Sequence, residues 1–239
     1  MKQHLHDHPG VHDALYARKP YAEEVGFALE RAPAADRALV VGCRTGEHVR
    51  RFEAAGVEAV GVDPYPALIE HARERSDSTF HVGGLPELPV DGAFDLVLAP
   101  FMTVNRLAAD ELEPALAALA DRAGEDGTLV LDTGEYPDME SPTLRTASGI
   151  ETGEEEKEGA AGSGCALFEQ FRRSDGREVR VESVVLHGES WFADGHELVE
   201  FENDEIGTRL ADLGFVVKRE DWLPDPTTTA ESSVFVASR

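Results

Sequence analysis

Alternating strand and helix signals over the first 133 residues of this 239-residue chain predict an α/β fold. The expected form is a doubly wound, mostly parallel seven-stranded sheet, with an antiparallel cap inserted after the fifth strand. Three observations predict it. Short apolar runs recur with helical segments between them, as right-handed β-α-β units require. The first run leads into a glycine turn, "GCRTG" at 42–46, and the second ends on Asp63. Beyond residue 133 the pattern changes to period-two alternation with turn signals, the mark of an antiparallel meander.

In chain order, apolar residues at helical spacing predict a helix over 14–31, with Pro20 as a break or a start. Residues 38–41 read as the first strand, and 46–55 as a helix stopped by Gly56. A strand at 57–62, a helix at 64–75 and short strands at 79–82 and 93–100 follow. An alanine-rich helix at 108–122 precedes the fifth strand, 127–133. Residues 134–165 are rich in Gly, Glu, Pro and Ser and read as a connecting loop. The Asp-Gly pairs at 175–176 and 194–195 read as hairpin turns. Asn203 is expected to cap a last helix ending at Gly214, and two strands finish the chain. The implied organisation is 1–133 for the N-terminal helix and first half of the sheet, 134–202 for the cap, and 203–239 for the completing helix and strands.

Charge narrows the partners. Asp and Glu number 47 against 22 Lys and Arg, a net charge of −25, and only Lys2, Lys19, Lys157 and Lys218 are lysines. Such a surface repels nucleic-acid phosphates and anionic membranes, so neither is an expected partner. Two cysteines give neither a disulfide framework nor metal spacing. The start lacks an apolar leader core, and no apolar run reaches the roughly 18 residues of a membrane span. A soluble cytoplasmic protein is the expectation. His4, His6, His8 and His12 have the look of metal ligands, but the reading adopted is a flexible N-terminus without metal.

In a doubly wound sheet the ligand lies beyond the carboxyl ends of the strands, near the first. The glycine turn, Asp63 and the loop after "TFHV" meet there. These stretches carry a resemblance. "ALVVGCRTGEHVRRFEAAGVEAVGVDPYPALIEHARER" resembles the first two motifs of the S-adenosylmethionine-dependent methyltransferases of the seven-stranded class, and "GLPELPVDGAFDLVLAPF" their third and fourth. "ALAALADRAGEDGTLVLDT" and "LADLGFVV" resemble the later helices and strands. The likeness runs from about residue 14 to the end, and "HDALYARKPYAEE" and "GEHVRRF" look most like the small-molecule branch, including amino-sugar N,N-dimethyltransferases. The resemblance implies S-adenosylmethionine as cofactor and a small-molecule acceptor methylated on nitrogen or oxygen. It implies that Gly42, Cys43 and Gly46 shape the turn against the methionine part and that Asp63 and Pro64 hold the ribose side. Leu85 would bind adenine, Pro100, Phe101 and Met102 would line the wall near the sulfonium, and Tyr16 and Tyr21 would form a lid.

Three departures stand against a simple transfer. Val40 occupies a usually acidic position, Arg44 replaces the middle glycine, and Gly84 replaces an acidic adenine contact. Each lost hydrogen bond to a charged group costs about 1.5–3 kcal/mol. An ordinary backbone at Arg44 lets its side chain point outward, whereas an inward side chain puts a cation beside a sulfonium. The alternative function is therefore a non-catalytic binding protein of the same fold with a degenerate cofactor loop. A nicotinamide oxidoreductase would also use Asp63, but expects G-x-G-x-x-G. Glu135, Tyr136, His187 and His196 are polar residues near the predicted site, none singled out as a base, because in-line alignment alone supplies much of a methyl transfer.

The acidic, lysine-poor composition also matches salt-adapted surfaces, where screening offsets self-repulsion. The midpoint of thermal unfolding should then rise between dilute buffer and molar KCl; a flat or falling midpoint removes that reading.

Overall fold

β1 (Arg37–Val41) and β4 (Phe94–Ala99) form the middle of the main sheet, and in each only one residue is exposed. Burial on both faces is why they read as unbroken apolar runs. The computed structural model describes residues 4–137, 143–147, 164–173, 176–188, 190–221 and 225–239. β2 (Glu58–Asp63), β3 (Thr79–Val82) and β5 (Ala123–Glu135) run parallel to the central pair. β10 (Val216–Asp221) and β11 (Glu231–Ser238) complete the seven-stranded order β10-β11-β5-β4-β1-β2-β3, with β11 antiparallel to its two neighbours. The expected doubly wound sheet is present.

Helices cover both faces. Leu116 and Leu119 of α5 (Leu112–Arg122) and Ile206 and Leu210 of α6 (Asn203–Asp212) pack in one core with Leu39 and Val97. The other core joins α2 (Tyr21–Arg31), α3 (Glu47–Ala54) and α4 (Pro66–Arg75), through Ala28, Phe52 and Ile69, to Val40 and Leu98. Leu39 and Val40 point to opposite cores, as the period of two in a strand demands. No helix among the described residues is long and apolar enough to cross a membrane.

After β5 comes a separate four-stranded antiparallel sheet: β6 (Thr143–Ala147), β7 (Cys165–Arg173), β8 (Glu178–His187) and β9 (Ser190–Val199). It joins the N-terminus through a third apolar cluster, in which Leu5, Val11 and Leu15 meet Leu167, Val185 and Phe192. The N-terminal segment is thus held between the cap and the main domain.

Several local expectations are corrected. Helix signal at 14–31 resolves into α1 (Pro9–Tyr16) and α2 with the expected break at Pro20, whose ring cannot continue a helix, but the first helix begins five residues earlier than expected. Within 134–165 the structure has the strand β6 rather than loop alone; the acidic run at 154–158 lies outside the described residues. β5 begins at Ala123, four residues earlier than its apolar run. Asp194–Gly195 is not a turn. It lies inside β9, paired with Ser183 and Glu182, and the chain reverses instead near Gly188, between His187 and Ser190.

Asp194 is engaged by the N-terminus: His4 Nδ1 lies 2.8 Å from Oδ1, and the Leu5 amide donates to Oδ2 at 3.1 Å. The flexible reading of the histidines fails with it, for His6 and His12 are buried at 5% and 0% exposure. Replacing the carboxylate, Asp194→Ala, should free this anchor at a cost of about 1–3 kcal/mol. Amide exchange of residues 5–8 should speed up while that of β1 does not, which hydrogen-exchange mass spectrometry measures.

Candidate active site

The turn after β1 closes through two left-handed glycines, Gly42 (φ 78°) and Gly46 (φ 83°). A Cβ on Gly42 would stand 2.2 Å from Thr103 Oγ1, so only glycine lets the loop after β4 approach this turn. Arg44 between them is also left-handed, at φ 51°. That conformation costs a non-glycine residue roughly 1–2 kcal/mol. Three contacts hold it. Its amide donates to Asp63 Oδ2 at 2.9 Å, and its guanidinium turns inward, 4.2 Å from the Phe101 ring centre and 3.1 Å from His12 Nε2. Burial lowers the His12 pKa to about 4, so the ring is neutral and accepts from the arginine.

Asp63 ends β2 at 2% exposure. Its second oxygen accepts from the Tyr65 amide at 3.0 Å. Burial raises its pKa, and the nearby Arg44 charge opposes that rise. Across the cleft, Phe101 (φ 63°) and Met102 (φ 52°) are left-handed as well. The Met102 amide donates to Asp132 Oδ1 at 2.7 Å, which fixes this bend to the end of β5. Three strained non-glycine residues around one cleft are a mark of function, because such backbones survive only where the surroundings impose them.

Two adjacent chambers open there. One, of about 200 Å³, has Gly42, Asp63, Pro64, Gly84, Leu85 and Thr103 in its wall. A smaller one of about 90 Å³ lies under the cap, with Phe101, Met102, Asp132, Tyr136, Phe171 and Ser183. His6, Arg44 and Arg106 line both and form the partition between them. The His6 ring stacks on Tyr65 with centroids 3.7 Å apart and planes 2° from parallel.

The second chamber rests on buried charge. Lys19 Nζ donates to Glu24 at 2.6 Å and to Asp225 at 2.7 Å, and His48 Nε2 lies 2.6 Å from Glu24. Bonds from His48 and Lys19 hold Glu24 below the usual carboxylate range despite its burial. Asp132 is different: burial pushes it up to about 7, against the pull of Lys19.

Residues 38–127 match the model of a methyltransferase domain family. A structure of an amino pentose methyltransferase from Micromonospora echinaspora, of calicheamicin biosynthesis and with S-adenosylmethionine bound, superposes with a TM-score of 0.73. It is 25% identical, over 96% of this chain and 93% of that one. Residues 38–127 are thus similar to a methyltransferase domain, and the whole chain shares the fold of an S-adenosylmethionine-bound methyltransferase. Among curated proteins, a dTDP-3-amino-3,4,6-trideoxy-alpha-D-glucopyranose N,N-dimethyltransferase of Streptomyces venezuelae is 29% identical over 140 residues. That match spans 55% of this chain and 59% of the relative. Isonocardicin synthase of Nocardia uniformis is 32% identical over 134 residues, 42% of its length. A sugar N-methyltransferase from Streptoalloteichus shares the fold, at a TM-score of 0.72 and 23% identity.

Within residues 38–127, Gly42, Asp63, Pro64 and Leu85 come together in the larger chamber, and Phe101 and Met102 lie in the smaller. Cys43, Gly46 and Pro100 are not among the residues lining either chamber. Cys43 is buried against Gly61, and Gly46 packs on Phe80. Tyr21 lies behind Phe101, with ring centres 6.0 Å apart, and Tyr16 meets the edge of Phe101 at 5.4 Å. The donor set fits the cofactor. A buried carboxylate, Asp63, a glycine-walled cradle at Gly42 and the apolar Leu85 share one wall, the donor set that a ribose and an adenine need. Sequence reasoning missed Lys19, Arg106 and Asp132. Asp132 had a signal, its place near the carboxyl end of a central strand; Arg106, in a turn at Thr103–Arg106, had none.

The raised pKa of Asp132 has a consequence for stability. Because its folded pKa stands above the usual value of 3.8, the contribution is full below about pH 4 and is lost as pH rises through about 7. A shift of about three units amounts to about 4 kcal/mol. Urea melts between pH 4 and 8 should show Asp132→Asn losing less stability over that range than the wild type; parallel curves would refute it.

Proposed function

We propose that the protein is an S-adenosylmethionine-dependent N-methyltransferase whose acceptor is the amino group of a small molecule, of the amino-sugar kind named for its relatives. The observation that carries this reading is the pair of adjacent chambers, which share His6, Arg44 and Arg106. One has the buried Asp63 carboxylate beside Gly42 and Leu85; the other has an enclosed carboxylate, Asp132, beneath the cap. Bound S-adenosylmethionine supplies a methyl group activated by its sulfonium. Asp63 accepts from the ribose hydroxyls, Leu85 covers the adenine, and Gly42 lets the loop backbone come close. Phe101, Met102 and Tyr136 wall the second chamber and exclude water. Asp132 takes the proton that the acceptor nitrogen gives up, a role suited to a group poised near neutral pH. The cap, residues 134–202, forms the acceptor wall.

Arg44 decides against an unrestricted loop but not against the cofactor. Its guanidinium is committed to Phe101 and His12. The non-catalytic alternative rested on Val40, Arg44 and Gly84, and the relatives named as methyltransferases give it no support.

Calorimetric titration tests the reading. S-adenosylhomocysteine and S-adenosylmethionine should bind in the micromolar range, and Asp63→Ala should weaken both by about tenfold to a hundredfold, as expected for charged hydrogen bonds lost. Incubation with amino sugars should then give N-methylated products by mass spectrometry. No binding by the folded wild type would overturn the proposal.

A further inference from the structure

The partition between the chambers has an unpaired cation. Among the described residues, the Arg106 guanidinium has no hydrogen-bond or ion-pair partner, although arginines in this chain commonly find carboxylates. It faces both chambers. The Arg44 guanidinium, which lines both chambers as well, is bonded to the neutral His12 and, among the described residues, forms no ion pair with a carboxylate. His6 and His196 line the second chamber too, and burial together with Arg106 and Arg44 holds both imidazoles below their ordinary range. Among the carboxylates of the two chambers, Asp225 is bound by Lys19, Asp132 accepts from the Met102 amide, and Asp63 accepts from two backbone amides while its charge acts on both guanidiniums; Glu169 lines the second chamber. In a chain of net charge −25, the half-buried Arg106 and the buried Arg44 thus bring two guanidiniums to one cleft, neither in an ion pair with a carboxylate among the described residues.

We propose that Arg106, assisted by Arg44, is an anion-binding subsite that receives a phosphate or carboxylate group of the methyl acceptor. The inference rests on the methyltransferase reading above and narrows its substrate class to acceptors that carry a negative group besides the amine. A guanidinium presents a planar fork of donors that matches both kinds of oxyanion. Arg106 sits on the turn that packs against β9 of the cap, which puts it on the acceptor's side of the partition. The cofactor's own carboxylate is the other anion in reach, and the test separates the two.

Pyrophosphate and glutarate serve as probes, each titrated into the full chain at constant ionic strength, with and without saturating S-adenosylhomocysteine. The wild type should bind at least one probe with the cofactor product present. Arg106→Gln should weaken that binding by about tenfold or more, as for a lost charge-assisted bond. Arg106→Lys should recover part of it, and S-adenosylhomocysteine affinity should stay within about threefold. Thermal melts establish that both variants are folded. Loss of S-adenosylhomocysteine binding in Arg106→Gln, with probe binding unchanged, would overturn the proposal by giving the arginine to the cofactor. Absence of probe binding to the wild type would overturn it as well. Failure of S-adenosylhomocysteine to bind the wild type would instead remove the methyltransferase reading, and Arg106-dependent probe binding would still support the anion subsite.

Discussion

The buried carboxylate of Asp63 ties two loops together. One oxygen takes the amide of Arg44 from the turn after β1, and the other takes the amide of Tyr65 from the start of α4. Much of the cofactor-side wall of the cleft follows from that pair of bonds. They pin the left-handed Arg44 backbone, and through it the guanidinium reaches Phe101 and His12. They also set Tyr65 where the His6 ring lies flat against it. The charge of Arg44 and the two amides in turn let an acid at 2% exposure exist at all.

The N-terminal segment belongs to the cleft rather than to the solvent. Its histidines are used in three different ways: His4 anchors on the cap at Asp194, His6 stacks at the rim of the cofactor chamber, and His12 receives the arginine. Lys19 then locks the segment between Glu24 of α2 and Asp225 near β11. A buried lysine needs such partners, since an uncompensated charge costs several kcal/mol. The segment that divides the chambers is therefore anchored at both ends, on the cap and on the main sheet.

The main sheet was legible because its signals are local. Unbroken apolar runs of strand length, separated by helical spacing and glycine stops, leave few topologies for the chain to adopt. The larger chamber was legible in part: Gly42 and Asp63 in its wall have fixed places in a doubly wound sheet, whereas Gly46, marked by the same turn signal, packs on Phe80 instead. The Asp194–Gly195 pair misled because a strong turn signal was overridden by strand pairing with β8 and by the N-terminus bound to its carboxylate. Position 44 raised the right question, whether the side chain points in or out, and no local rule could answer it.

By itself the sequence determined the layered α/β architecture, the antiparallel cap after the fifth strand and the carboxylate at the end of β2, because periodicity and strand-end position act over a few residues. Tertiary structure alone decided that Arg44 turns inward, that His6 meets Tyr65, and that Arg106 stands between two chambers. Those facts depend on what residues dozens to nearly two hundred positions apart present to one another. Burial and charge at such a meeting point are properties of the packed molecule, and no window of sequence contains them.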